Sequence, residues 1–212
     1  MTGFRWPWTR RAEAPAPRKA RVRGGAMTFE TAWPSADEKT REDLKAMWAR
    51  LRVLPPGADA DERAAQICVV GRVDGQLAAV STAEITLMPR LKHRFAMVRA
   101  MVHPGYRSAE AILGLIRATH AALEDWSAAN PDAAVAGLAV AIENPQLAEM
   151  LRYPGLAMRE GDPPWSGLVL VGYTGKGEQI RVSWFRHARV DPVTEPAADG
   201  ADAAVAERGA RA

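Results

Sequence analysis

Cysteine, histidine and long apolar runs are scarce in this chain. A single cysteine, Cys68, leaves no disulfide framework and no cysteine-based structural zinc site. The four histidines, His93, His103, His120 and His187, fall at no HxH or HxxxH spacing, which argues against a metal enzyme. No run of about 18 apolar residues occurs, so no transmembrane helix is expected. What remains is a chain of 212 residues, 48% hydrophobic and 25% charged, which reads as one ordinary soluble domain with tails.

Charge is unevenly spread. Residues 1–26 hold Arg5, Arg10, Arg11, Arg18, Lys19, Arg21 and Arg23 against Glu13, a net of +6 in a chain whose total is +3. The body is therefore slightly acidic, and basicity says little about its partners. The first 26 residues lack apolar periodicity and read as a disordered basic arm. Such an arm would touch nucleic acid or anionic lipid if it is translated. Alternatively, translation starts at Met27, which follows Arg-Gly-Gly-Ala, a place where glycine codons can spell a ribosome-binding sequence. The Arg10-Arg11 pair precedes no apolar segment, so a twin-arginine or secretory signal is not expected. Residues 191–212, rich in Ala, Asp, Glu, Pro and Gly, read as a disordered tail. The domain proper is expected over 27–190, in the cytoplasm.

The body reads as mixed α/β. Residues 27–33 alternate as a short strand. Ser35, with Glu38 three residues on, reads as a capping box for a helix bearing Leu44, Met47, Trp48 and Leu51 on one face. Pro55-Pro56-Gly57 ends it, and 59–65 adds a helical turn. Asp74-Gly75 between 66–72 and 76–87 is a hairpin signal that demands positive φ at Gly75. A strand over 94–102 stops at His103-Pro104-Gly105. A long helix over 107–129 carries Ile112, Leu115, Ile116, Thr119 and Leu123 on one face. Residues 133–142, small and apolar, read as a buried strand. Asn144 caps a short helix to about Arg152, and 156–160, 166–173 and 179–187 read as final strands. Trp165, Trp184 and Phe185 read as core, Cys68 as a small buried residue, and Lys176 as a hairpin tip.

Two local patterns in this order carry a resemblance. Val102-His103-Pro104-Gly105-Tyr106-Arg107 stands at a strand end running into a helix, and about 40 residues later comes Asn144-Pro145-Gln146-Leu147, then Leu151 and Gly155-Leu156. Together with the element order, they resemble the GNAT acyltransferase superfamily over about residues 27–187. The resemblance implies an α/β fold: a central mixed, twisted sheet of about six to seven strands flanked by helices. It implies a bacterial N-acyltransferase moving an acetyl or other acyl group from acetyl-CoA or another acyl-CoA to an amine acceptor, and leaves room for a homodimer. Its donor-binding positions fall on Met101, Val102, Arg107, Ser108, Glu110, Ala111, Ile112 and Asn144. In the family, glycines in the loop let backbone N–H groups converge on the pyrophosphate at a helix N-terminus. A backbone N–H near Met101 would polarise the thioester carbonyl.

This chain departs from the pattern. The family glycines fall on Ser108, Glu110 and Ile112, and the tyrosine that commonly serves as general acid falls on Leu151. A Glu110 carboxylate about 5 Å from a phosphate would cost roughly 3 kcal/mol at an effective dielectric near 20. Its other reading is an acid in the first helical turn, complementing the helix dipole. Tyr153 replaces the missing tyrosine only if the helix ends early, and otherwise packs at a helix end. Glu84, His103 and Glu143 are candidate general bases, readable equally as a strand surface residue, a turn residue and a helix-start charge. Arg107 would meet phosphate or cap its own loop. The sequence leaves two alternatives to a CoA-dependent enzyme: a GNAT-fold binding or assembly protein without activity, or a transferase fed by an acyl-carrier donor.

Overall fold

The computed structural model describes residues 26–157 and 167–190. The expected arm over 1–26, the tail over 191–212, Trp165 and most of the strand expected over 156–160 lie outside the described residues, apart from Ala26 and the stretch 156–157. Eleven helices and strands are described: β1 (Thr28–Thr31), α1 (Glu38–Leu51), α2 (Ala60–Ala65), β2 (Ile67–Val73), β3 (Gln76–Met88), β4 (His93–Val102), α3 (Ala109–Ala129), β5 (Val135–Ile142), α4 (Pro145–Met150), β6 (Val169–Tyr173) and β7 (Gln179–Trp184). Short 3-10 turns cover Pro104–Tyr106 and Pro131–Ala133. No helix among the described residues is long and apolar enough to cross a membrane.

The strands form one seven-stranded sheet in the order β1-β2-β3-β4-β5-β7-β6. Every neighbouring pair is antiparallel except β4–β5, which is parallel. The α/β class and the mixed sheet flanked by helices are those the resemblance implied. The β2–β3 hairpin turns on Asp74 (φ 49°) and Gly75 (φ 75°), two consecutive left-handed residues as a type I′ turn requires.

The long helix α3 fills one face of the sheet. Ala111, Leu115, Ile116, Ala122 and Leu123 recur at helical spacing and are buried against Ala79, Ala83, Ala96, Val98, Val102, Leu138 and Val140. Burying one such leucine is worth about 1.5–3 kcal/mol. Close contact is licensed at Gly114, where a Cβ would stand 2.8 Å from the Phe29 ring. A hydroxyl relay ties helix to sheet. The Val69 N–H donates to Ser81 Oγ (3.2 Å), which meets Thr119 Oγ1 at 2.7 Å, and Thr119 donates to the Leu115 carbonyl at 2.7 Å. Every polar atom in that buried run is satisfied, so it adds order without a desolvation penalty. On the opposite face α1 and α2 pack Leu44, Met47, Trp48 and Ala64 over Ile67, Val70 and Val80.

Several local expectations shift. The cap of α1 is Asp37, not Ser35: Asp37 Oδ1 accepts the Thr40 N–H at 2.9 Å, and Thr40 Oγ1 returns a bond to Asp37 Oδ2 at 2.8 Å. Both residue types cap well, and the chain chose the later one, whose carboxylate accepts from both the N–H and the hydroxyl of Thr40. The 156–160 segment contributes a two-bond pairing of Leu156 with Leu168 rather than a strand over its described part. The last strand stops at Trp184: Phe185 still donates its N–H to the Ala136 carbonyl at 3.0 Å, and the chain then turns at Arg186 and His187.

Candidate functional site

The central feature is a parting of strands. β4 pairs with β5 from Arg94 to Val98 and no further. Beyond that, β4 stays with β3 up to Val102↔Ala79, while β5 stays with β7 up to Ile142↔Gln179. The two strands diverge and open a gap at the carboxyl end of the only parallel pair among the described strands. Parity then decides which backbone groups face it. The His103 N–H donates to the Ala78 carbonyl at 2.8 Å, so residues 103 and, two back, Met101 spend their backbone groups on β3. Ala100 and Val102 point the other way. Their N–H groups face the gap with no partner on β5. Near Met101 the N–H groups that face the gap are thus those of its two neighbours, which strand register reveals and residue type does not.

Arg107 borders this gap. Its Nη2 donates to the Val102 carbonyl at 3.4 Å, so it caps its own loop, while the side chain remains exposed beside the start of α3. His103 Nδ1 accepts the Gly105 N–H at 3.1 Å, which makes Nε2 the protonated nitrogen of the neutral ring. To act as a base, His103 would have to give up that turn. Ser108 is the N-cap of α3, with φ −141° and ψ 162°, an extended conformation open to any residue. Its hydroxyl accepts the Ala111 N–H at 3.0 Å, and its carbonyl takes the Ile112 N–H at 3.1 Å. The N–H groups of Ala109 and Glu110 lie ahead of that first helical bond. Glu110 is exposed and Ala111 is buried, while Ile112 packs on the core. Glu110 thus stands at an exposed helix start, where water screens its charge.

Across the gap, Asn144 caps α4 as expected, its Oδ1 accepting the Leu147 N–H at 3.3 Å. Glu143 is exposed beside it. α4 ends at Met150, so Leu151 and Tyr153 lie beyond the helix. Leu151 is 8% exposed and packs into the α3-side core, whereas Tyr153 is 76% exposed. The early helix end that would free Tyr153 is present, and its ring stands in solvent rather than in a cleft.

One residue that the sequence did not single out organises this side. Arg181, 1% exposed, pairs in register with Val140, the last β5 residue joined to β4. Its guanidinium donates to the carbonyls of Leu151, Tyr153 (2.9 Å) and Leu168 (3.3 Å), and Nε donates to Gln179 Oε1 at 2.9 Å. Burial pushes its pKa below the usual arginine range. Alternation in Gln179–Trp184 reads Arg181 as solvent-facing, because Ile180, Val182 and Trp184 claim the apolar side. The chain after α4 covers the other side and makes it interior too.

Glu84 lies on the sheet face opposite α3. Its Oε2 is 3.6 Å from Arg99 Nη1, and the two side chains are 52% and 50% exposed. The structure thus brings Val102, Arg107, Ser108 and Ala111 together at the start of α3. Met101 and Glu84 sit toward the opposite face, and Tyr153 stands apart.

No family model matches the chain, and no curated protein matches it. Solved structures do resemble it. An acetyltransferase of the GNAT family from Streptococcus pneumoniae is 13% identical over 76% of this chain and 99% of its own, with a TM-score of 0.44. The ribosomal-protein-S18-alanine N-acetyltransferase of Escherichia coli is 14% identical over 79% of this chain and 99% of its own, with a TM-score of 0.47. The N-acetylglutamate synthase of Neisseria gonorrhoeae, in complex with coenzyme A and L-arginine, is 11% identical over 76% of this chain and 33% of its own, with a TM-score of 0.45. The fold assignment rests on strand order and pairing: a seven-stranded mixed α/β sheet whose only parallel pair among the described strands parts at its carboxyl end.

Proposed function

We propose that the chain is a GNAT-fold N-acyltransferase that takes an acyl group from an acyl-CoA, acetyl-CoA in the simplest case, and passes it to an amine. The observation that carries this reading is the β4–β5 gap, with the Ala100 and Val102 N–H groups turned into it beside the N-terminus of a 21-residue helix. A thioester lying in the gap would place its carbonyl oxygen against these N–H groups. They are fixed donors aimed where negative charge grows during acyl transfer. The Ala109 and Glu110 N–H groups and Arg107 would hold the pyrophosphate at the helix start. The donor supplies an activated acyl carbon. The protein needs only to align an amine on it: the C–N bond forms, the C–S bond breaks, and the thiolate leaves to be protonated.

Calorimetry of acetyl-CoA with the full chain tests this reading. The missing loop glycines point to a dissociation constant on the order of 100 μM or weaker. Glu110→Gly with Ile112→Gly should tighten it by letting the backbone approach the phosphates. Tight binding to the native chain, abolished by the two glycines, would mean that Glu110 and Ile112 are part of a working cradle. A second reading, a GNAT-fold binding protein without activity, is favoured by the buried Leu151 and the outlying Tyr153. Absence of both acetyl-CoA binding at millimolar concentration and thiol release with any amine would establish it over the first.

A further inference from the structure

The face of the gap away from α3 carries groups that donor binding does not use, and their role as an acceptor site rests on the acyltransferase reading. Arg99 stands one residue past Val98, where β4 leaves β5. Its lateral row runs from Thr82 through Arg99, across the gap to Ala141 and on to Ile180. Alternation puts Arg99 on the same side as Met97 and Met101, and Glu84 on the same side as Val80 and Thr82.

Three charged groups converge here. The Glu84–Arg99 pair is loose, at 3.6 Å, and half in water. Arg63, at the end of α2, adds a second guanidinium. Its pKa is lowered by burial first and by the like charge of Arg99 second, against opposing pulls from Glu84 and Glu62. Arg63 is occupied by Gln66, to which its Nη1 donates at 3.2 Å, so Arg99, held only by the loose Glu84 pair, is the more open of these two guanidiniums to a ligand.

On the far side of the gap, Ile180 forms a wall of a cavity of about 110 Å³, with Met88 at the end of β3, Arg90 and Leu91 from the β3–β4 turn, and Val171 and Tyr173 from β6. Arg99 and Ile180 are two strand spacings apart, roughly 10 Å, and somewhat more where the gap opens. The cavity is smaller than the engineered void of about 150 Å³ that holds a benzene. It suits a branched aliphatic or thioether side chain better than an indole.

We propose that this face is the acceptor subsite and that it takes a free α-amino acid with an apolar side chain. The amino group sits over the gap toward Glu84, the carboxylate lies on Arg99, and the side chain enters the Ile180 cavity. All three substituents leave one carbon, which matches groups spread over roughly 10 Å once the reach of the Arg99 side chain is included. A cation beside the reacting centre repels an ordinary ammonium acceptor, and a carboxylate on the same carbon removes that repulsion. Glu84 takes one proton from the ammonium. The freed lone pair forms the amide bond as the thiolate departs, and the thiolate and remaining amine proton are settled with solvent.

The test uses the full chain and acetyl-CoA, reading thiol release with L-leucine, L-methionine, L-leucinamide and spermidine. Leucine and methionine should turn over. Leucinamide, which lacks the carboxylate, should be poorer by about 10-fold or more in kcat/KM, the worth of one charge-assisted hydrogen bond. Arg99→Gln should erase that preference from both sides, raising KM for leucine and, with the repelling cation gone, lowering it for leucinamide. Equal use of leucinamide or spermidine, or a preference that survives Arg99→Gln, overturns the proposal. If acetyl-CoA does not bind and no amine reacts, the donor reading has failed, and L-leucine is titrated alone. Leucine binding lost in Arg99→Gln would then uphold the subsite, and no binding at millimolar leucine would overturn it.

Discussion

Two arginines sit at the point where β4 and β5 part, and they live under opposite rules. Arg181 is interior and spends its donors on carbonyls and a glutamine, with no carboxylate beside it among the described residues. Arg99 is half in water with one carboxylate at 3.6 Å. The first is architecture. Its guanidinium gathers carbonyls that a shorter side chain could not reach and ties down the chain after α4. The second is nearly free to meet a ligand, since an exposed pair adds only about 0–1 kcal/mol. The residue type is the same, and saturation of hydrogen bonds under burial separates the roles.

The strongest way to break this comparison is Arg181→Met. It should cost about 3 kcal/mol or more in urea denaturation, because several buried carbonyls lose their donor together. Arg181→Lys should recover less than half, an ammonium being unable to span the same fork. A midpoint within error of the native chain would place Arg181 among ordinary surface residues.

Smaller losses mark the other devices around the gap. Gly75→Val should cost roughly 1 kcal/mol or more, since φ of 75° is hostile to a β-branched residue. Ser108→Ala should cost about 1 kcal/mol, the usual worth of an N-cap, and it leaves the Ala111 N–H open. Both are read from the denaturation midpoint. An unchanged Gly75→Val midpoint would remove the strained turn.

Arg99→Ala should shift stability by less than about 0.5 kcal/mol. A loss comparable with that of Arg181→Met would show that the exposed pair is structural and dissolve the contrast. The smallest expected signal concerns Cys68. Burial pushes its thiol up to about 12, although Ser81 pulls slightly the other way. Ellman's reagent at pH 8 should therefore label it only after unfolding; rapid labelling of the folded chain would show that β2 opens.

Much of the frame was legible in residue pattern. Asp74-Gly75 announced its turn because only left-handed-tolerant residues close a two-residue hairpin, and α3 showed its buried stripe because one face must stay apolar over 21 residues. Val135–Ile142 read as an interior strand because no polar side chain interrupts it. The cap of α1 was not legible: the Ser35–Glu38 spacing pointed to Ser35, and only the built loop selects Asp37 two residues later.

The candidate site was legible as a place and not as a geometry. The Val102–Arg107 turn and Asn144 flagged the two strand ends, but which N–H groups enter the gap depends on the parity of β4 against β3, a relation between distant segments. Arg181 was illegible for the same reason: alternation along its own strand points it outward, and only packing of the chain after α4 turns that side into interior. Local sequence determined the elements of this protein, because propensity, caps and turns act within a few residues. The tertiary structure alone decided which backbone donors face the gap, which arginine is buried and which is free, because burial and strand register arise from segments that meet only in the folded chain.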